Sequence, residues 1–120
     1  MNGYVDEQMR ALVPIQVGPT KGDETREVVA WVDTAFNGSL VIPKSKIVEL
    51  GLSAESTAEA ILADGNKVAL ETYGCCVEWF GRTYDTQVVP NDGEFALLGT
   101  MLLSGHRVEI DYVKGTVSIL

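Results

Sequence analysis

The sequence predicts an all-β domain, a closed or sandwiched sheet, and three observations predict it. Short runs rich in β-branched and aromatic residues recur along the chain, many of them alternate apolar with polar positions, and the gaps between them carry turn signals. The expected strands are "LVPIQVG" (12–18), "EVVAWVD" (27–33), "SLVIP" (39–43), "AEAILAD" (58–64), "KVALETYGCCVEWFG" (67–81), "TYDTQVV" (83–89), "RVEIDY" (107–112) and "TVSIL" (116–120). Asp64-Gly65, Asn91-Asp92-Gly93 and Lys114-Gly115 mark tight reversals, because glycine and asparagine accept the positive φ that such turns need. Residues 19–26, "PTKGDETR", read as a mobile hairpin loop.

Two short helices interrupt the strands. "PKSKIVELG" (43–51) has Pro43 where a helix can begin and Gly51 where one commonly stops, with Ile47, Val48 and Leu50 expected on the burying side. "LGTMLLSG" (98–105) has Leu98, Met101 and Leu102 at helical spacing and closes on Ser104-Gly105. Met101 is expected to pack with Leu97, Leu98 and Leu102, while Trp31, Trp79 and Phe80 are expected to fill the core. Glu55, Glu59, Glu71 and Glu78 alternate with apolar neighbours and read as the wet face of strands.

Composition bounds the function. With 120 residues, 46% hydrophobic and 22% charged, the chain fits one globular domain over 11–120, preceded by an N-terminal extension over 1–10. A formal net charge of -8 repels phosphate backbones and anionic headgroups, which argues against nucleic acid and membrane as partners. No run approaches about 18 uninterrupted apolar residues, and "MNGYVDEQMR" is acidic where a signal peptide is basic, so a soluble, cytoplasmic protein is expected. Cys75 and Cys76 are adjacent on one strand and point to opposite faces, which favours reduced, structural thiols. One histidine, His106, and two adjacent cysteines do not form a spaced zinc-ligand cluster, so neither metal nor cofactor is expected, and His106 reads as a solvated surface imidazole.

Against this background "AWVDTAFNGSLVIP" (30–43) stands out, because an aspartate ends an apolar run where burial is at work. Asp33 falls on the same side of its strand as Val29 and Trp31, opposite Val28, Ala30 and Val32. Thr34 adds a hydroxyl, Ala35 keeps the backbone approachable, and Gly38 lets the chain reverse into Leu40, Val41 and Ile42. That is the layout of an exposed base or nucleophile on a rigid support. It is equally the layout of an aspartate that caps a turn through its own backbone.

These residues resemble the retropepsin-like (retroviral-type) aspartic proteases, including their cellular and prokaryotic branch. "WVDTAFNGSLVIP" matches the family signature of two apolar residues, Asp, Thr or Ser, and Gly, followed by an apolar strand, except that Ala35 stands where glycine is usual. Further on, "ALLGTMLL" reproduces the pair of apolar residues and the glycine that open a short helix, with Leu97, Leu98 and Gly99 in those places and Gly99 in a structural role. The closing strand "RVEIDY" and last hairpin "TVSIL" fit the cellular members, so the resemblance spans about residues 10 to 120. "YDTQVV" repeats the dipeptide as Asp85-Thr86, but it lies within an alternating strand without a small-residue turn and reads as a solvated face.

The resemblance implies a closed acid-protease barrel and an aspartic endopeptidase that hydrolyses peptide bonds. Such chemistry needs two carboxylates about 3 Å apart sharing one proton, and this chain supplies one suitable aspartate. A homodimer is therefore implied, with catalytic Asp33 paired to its twin across a twofold axis, Thr34 and Ala35 supporting the site, and activity favouring mildly acidic pH. "ILADGNKVAL" (61–70) reads as a hairpin with Ala63, Asp64, Gly65 and Asn66 at its tip, either an ordinary surface hairpin or the flap that closes over a peptide or unfolded polypeptide substrate. The alternative from another class is a catalytically weak or inactive peptide-binding or dimerisation module of the same fold, for which Ala35 is the main argument.

Overall fold

The computed structural model describes residues 1–19 and 24–120, the side chain of Ala60 excepted. Residues 20–23, the middle of the loop expected over 19–26, lie outside the described residues. The described elements are β1 (Asn2–Val5), β2 (Ala11–Gly18), β3 (Arg26–Val32), β4 (Leu40–Pro43), α1 (Lys44–Leu50), β5 (Ser53–Ile61), β6 (Lys67–Trp79), β7 (Arg82–Asn91), β8 (Ala96–Leu98), α2 (Thr100–Leu103), β9 (Val108–Asp111) and β10 (Thr116–Ile119). Strands make up 57% of the described residues and both described helices are short, so the all-β expectation holds.

β2 pairs with β3 along one edge and with β6 along the other, and the succession β2-β3-β8-β4-β7-β6 returns to β2 to close a six-stranded barrel. Closure gives each barrel strand a partner on both sides over part of its length. Its interior is filled by Val13, Ile15 and Val17 from β2, Val28, Ala30 and Val32 from β3, and Leu40, Ile42, Val77, Val88 and Leu98 from the facing strands. Each such aliphatic side chain contributes about 1.5–3 kcal/mol by leaving water, which is why the period-two pattern of β3 fixes its register. Outside the barrel, β1 pairs with both β2 and β10, and β10 pairs with β9. The first ten residues thus carry a strand of the same sheet. A Cβ on Gly3 would overlap the Leu12 carbonyl, so the close approach of β1 to β2 requires glycine there.

Several expectations change in detail. β8 takes Leu98, expected to open a helix over 98–105, together with Ala96 and Leu97, and α2 is confined to Thr100–Leu103, because this stretch is clamped between β3 and β4. Met101 is consequently 66% exposed and does not pack into the core. β5 begins at Ser53, since its ladder with β6 runs from Ser53↔Gly74 to Ile61↔Lys67 and recruits a polar segment of weak strand propensity. In α1, Ile47 and Leu50 are buried, but Val48 points to solvent one helical step away. Trp79 is buried as expected, whereas Trp31 and Phe80 are partly exposed.

Phe80 leaves the core because it forms, with Gly81, the two-residue turn between β6 and β7, both at positive φ (50° and 78°). Its ring stacks on His106 at 4.3 Å. His106 is held and not merely solvated: its Nε2 accepts the Trp79 indole N–H at 3.1 Å, and its Nδ1 lies 3.0 Å from the Leu120 carbonyl oxygen. Cys75 and Cys76 are buried and free of disulfide. Glu55, Glu59, Glu71 and Glu78 are exposed. No described helix is long and apolar enough to cross a membrane.

Candidate active site

The period-two geometry of β3 decides where Asp33 goes. Val28, Ala30 and Val32 point into the barrel, so Asp33, one residue beyond Val32, leaves on the outer face with Val29 and Trp31. The strand therefore delivers its carboxylate away from the space its neighbours keep dry, and Asp33 is only partly buried. Its own N–H donates to the Leu98 carbonyl at 2.9 Å, which ties the end of β3 to the end of β8.

Beyond Asp33 the chain turns at once. The Ala35 N–H donates to Asp33 Oδ1 at 3.0 Å and the Phe36 N–H to the Asp33 carbonyl at 3.2 Å. The aspartate thus caps its own turn, using one carboxylate oxygen, while Oδ2 has no hydrogen-bond partner among the described residues. Thr34 and Ala35 are exposed, and Ala35 is not at positive φ, so the methyl group in place of the usual glycine brings no backbone strain.

The following loop is fastened to the start of α2. Thr100 N–H donates to the Phe36 carbonyl at 2.8 Å, Met101 N–H to the Gly38 carbonyl at 3.1 Å, and Gly99 N–H to the Ser39 carbonyl at 2.8 Å. β8 runs parallel to β3 (Ala30↔Ala96, Trp31↔Leu97, Val32↔Leu98) and antiparallel to β4 (Leu40↔Leu98, Val41↔Leu97), so the two apolar runs flanking the Asp33 turn embrace it. At Gly99 a Cβ would fall on the Gly38 carbonyl and the Phe36 ring, so the loop and the helix start can meet only at glycine.

The hairpin tip is equally well defined. Leu62 N–H donates to the Asn66 carbonyl at 2.8 Å, Gly65 N–H to the Leu62 carbonyl at 2.9 Å with Gly65 at φ 86°, and both the backbone and side-chain N–H of Asn66 reach the Asp64 carboxylate at 2.9 Å. Ala63, Asp64, Gly65 and Asn66 are all exposed, as are Ile61 and Leu62 beside them. Asp33, Thr34 and Ala35 share one turn with Gly99 behind it. No hydrogen bond among the described residues joins that turn to the tip. Asp85 is exposed on β7, in the middle of a ladder.

One cluster on the Asp33 side was not legible. The Arg10 guanidinium lies 4.5 Å above the Phe95 ring and 5.8 Å from that of Trp31, and its Nε donates to Asp6 at 2.7 Å. Asp6 also accepts the N–H groups of Gln8 and Arg10, at 3.0 and 2.9 Å. Desolvation pushes the Asp6 carboxyl up, but the backbone N–H and guanidinium of Arg10 outweigh it, and the net displacement is below the usual carboxylate range. Trp31 is 39% exposed with this guanidinium beside it, a placement that a period-two reading does not supply. Among the described residues no group of three or more His, Cys, Asp or Glu could hold a metal ion.

A closed six-stranded barrel thus carries the Asp-Thr turn between β3 and β4, with β8 clamped between those two strands. The chain is similar to a retropepsin-like aspartic protease from Rickettsia conorii, with 18% identity and a TM-score of 0.59 over 100% of this chain and 92% of that one. It is similar to EIAV protease, solved in complex with the inhibitor HBY-793, at 15% identity and TM-score 0.55, covering 82% of this chain and 88% of that one. The protease of simian foamy virus (mac) matches at 15% identity and TM-score 0.52, covering 76% and 91% respectively. No protein-family model matches the sequence, and no curated protein matches it. The chain has the retropepsin-like aspartic protease fold.

Proposed function

We propose that the chain is an aspartic endopeptidase that works as a homodimer, each copy supplying one Asp33 to a proton-sharing pair. The observation that carries the reading is the placement of Asp33, on the outer face at the end of a barrel strand, with Thr34 and Ala35 exposed beside it on a turn anchored by β8. A single carboxylate cannot both draw a proton from water and polarise the scissile carbonyl, so a twofold partner must bring the second. In the pair, which shares one proton, one Asp33 acts as base toward water and the other donates to the carbonyl oxygen. Activity therefore favours mildly acidic pH.

Thr34 bonds across the twofold axis and holds the two turns rigid, while Ala35 forms part of the cleft floor. The β5-β6 hairpin, with Ala63, Asp64, Gly65 and Asn66 at its tip, is the flap that covers an extended peptide or unfolded polypeptide and pairs with its main chain. The second reading is a binding or dimerisation module of the same fold with little turnover, and the exposed Ala35 methyl group favours it by narrowing that floor.

Incubation with an unfolded polypeptide between about pH 4 and 7, beside an Asp33→Asn variant, separates the readings, with the oligomeric state measured by sedimentation. Cleavage by the parent and none by a still dimeric Asp33→Asn variant is the expected result. A dimer in which both proteins bind the polypeptide and neither cuts it establishes the binding module, and a stable monomer removes both.

A further inference from the structure

Four asparagines occur in the chain, and two of them, Asn2 and Asn37, precede glycine. We propose that Asn37-Gly38 is a site of spontaneous deamidation, and that this chemistry loosens the Asp33 loop as the protein ages. The reaction needs the backbone nitrogen of the following residue to reach the asparagine side-chain carbonyl carbon, which glycine alone permits with ease because no side chain obstructs the approach. The Gly38 nitrogen loses its proton and bonds to that carbon, the bond to the side-chain amide nitrogen breaks, and ammonia leaves, giving a cyclic succinimide. Water then opens the ring at either carbonyl, yielding an aspartate or a β-linked isoaspartate. Nothing is oxidised or reduced, and water is the only co-reactant.

The structure distinguishes the two sites. Asn37 is exposed in the loop after the Asp33 turn, its side chain makes no hydrogen bond among the described residues, and no backbone carbonyl of those residues accepts the Gly38 N–H. Asn2 sits in the β1 ladder opposite Ser118, the Ser118 hydroxyl lies 3.4 Å from its side-chain oxygen, and Gly3 is paired with Val117. An extended, paired backbone holds the nitrogen away from the side-chain carbon, whereas the loop is fastened through its carbonyls and leaves the Gly38 N–H unpaired among the described residues. A Cβ on Gly38 would meet the far end of the Phe36 ring at 2.5 Å, so a bulkier residue there requires the ring to move.

The consequence follows from what Gly38 and Ser39 hold. Their carbonyls accept the N–H groups of Met101 and Gly99, and an isoaspartate inserts one more backbone carbon just before Gly38, shifting both acceptors. The product also places a new carboxylate four residues after Asp33 in sequence.

The test is ageing of the intact chain at neutral to mildly alkaline pH, followed by trypsin and mass spectrometry. Asn2 falls in the peptide 1–10 and Asn37 in the peptide 27–44, so the same digest reads both. The expected result is an amide-to-acid mass gain, with isoaspartate, several-fold greater in the second peptide than in the first, and absent from that peptide in an Asn37→Ser variant. Equal or greater conversion at Asn2, or conversion at Asn37 only in denaturant, overturns the proposal. Hydrogen exchange on the aged chain reads the consequence: faster exchange at Gly99 and Met101 in the parent and not in Asn37→Ser supports it, and unchanged exchange in fully converted protein refutes the link to the loop.

Discussion

Gly99 faces the carbonyl oxygen of Gly38 so closely that a methyl group on its α-carbon would overlap that oxygen. This contact joins the end of β8 to the loop that follows Asp33, and the Gly99 N–H bonds the adjacent Ser39 carbonyl at 2.8 Å. Overpacking at such a site costs about 1–3 kcal/mol. Gly99→Ala is therefore expected to lower the unfolding free energy by that amount in denaturant titrations and to speed amide exchange at Phe36 and Met101. An unaltered denaturation midpoint would show that the loop can retreat without penalty.

Asp6 ties down the loop from which Arg10 reaches over Phe95 and Trp31. Its folded-state carboxyl titrates below the ordinary carboxylate range. A depressed folded value means a stabilising contribution fully present above the unfolded carboxylate value and lost as pH falls through the folded one. The melting temperature of the parent should thus exceed that of Asp6→Asn at neutral pH, with the gap closing only in strong acid. Trp31 fluorescence should report the release. A gap that is constant with pH contradicts the assignment.

Burial, and then the charges of Cys76, Asp85 and Glu55, push the Cys75 thiol up to about 12. The neutral thiol is inert as a nucleophile. Native protein at mildly alkaline pH should resist alkylation at Cys75 and react only once unfolded. The sign of the linkage is that of a raised value: the contribution is complete below the ordinary thiol range and lost as pH rises toward the folded value. Rapid native labelling at Cys75 would refute this.

His106 accepts the indole N–H of Trp79, a residue only 4% exposed. His106→Ala leaves that donor without its partner at a cost of about 1–3 kcal/mol, since a buried unmatched donor loses its hydration as well as its bond. Pairing it with Trp79→Phe removes both polar groups, so the double variant should lose less stability than the two single variants added together. Strict additivity in a denaturation cycle would argue that the bond contributes nothing.

Where side chains alternate, the sequence was readable. Val28, Ala30 and Val32 against Val29, Trp31 and Asp33 suffice to put the carboxylate on one side of its strand with Trp31, but only the barrel makes that side the outer one, and Asp64-Gly65 marks the β5-β6 reversal. Leu98, Met101 and Leu102 also satisfy a helical period, and only the clamping of β8 between β3 and β4 settles Leu98 as strand. β1 escaped notice because four residues carry little pattern and its main partner, β10, lies at the far end of the chain. Size alone places Trp31 in the core, but its strand position puts it on the outer face, with the Arg10 guanidinium of the β1-β2 connection 5.8 Å from its ring. Whether Asp33 finds a twin is a property of two chains, and no pattern within one sequence encodes it.

The pairing of β1 with β10 also makes this polypeptide a candidate for rewiring. The Met1 amine donates to the Ile119 carbonyl at 2.9 Å, so a few glycines and serines would bridge residue 120 back to residue 1 without crossing the barrel. New ends opened between Asp64 and Gly65, at an exposed tip remote from the packed interior, would leave every barrel strand whole. A circularly permuted chain of this kind would retain the fold with the two halves of the hairpin joined by their ladder alone.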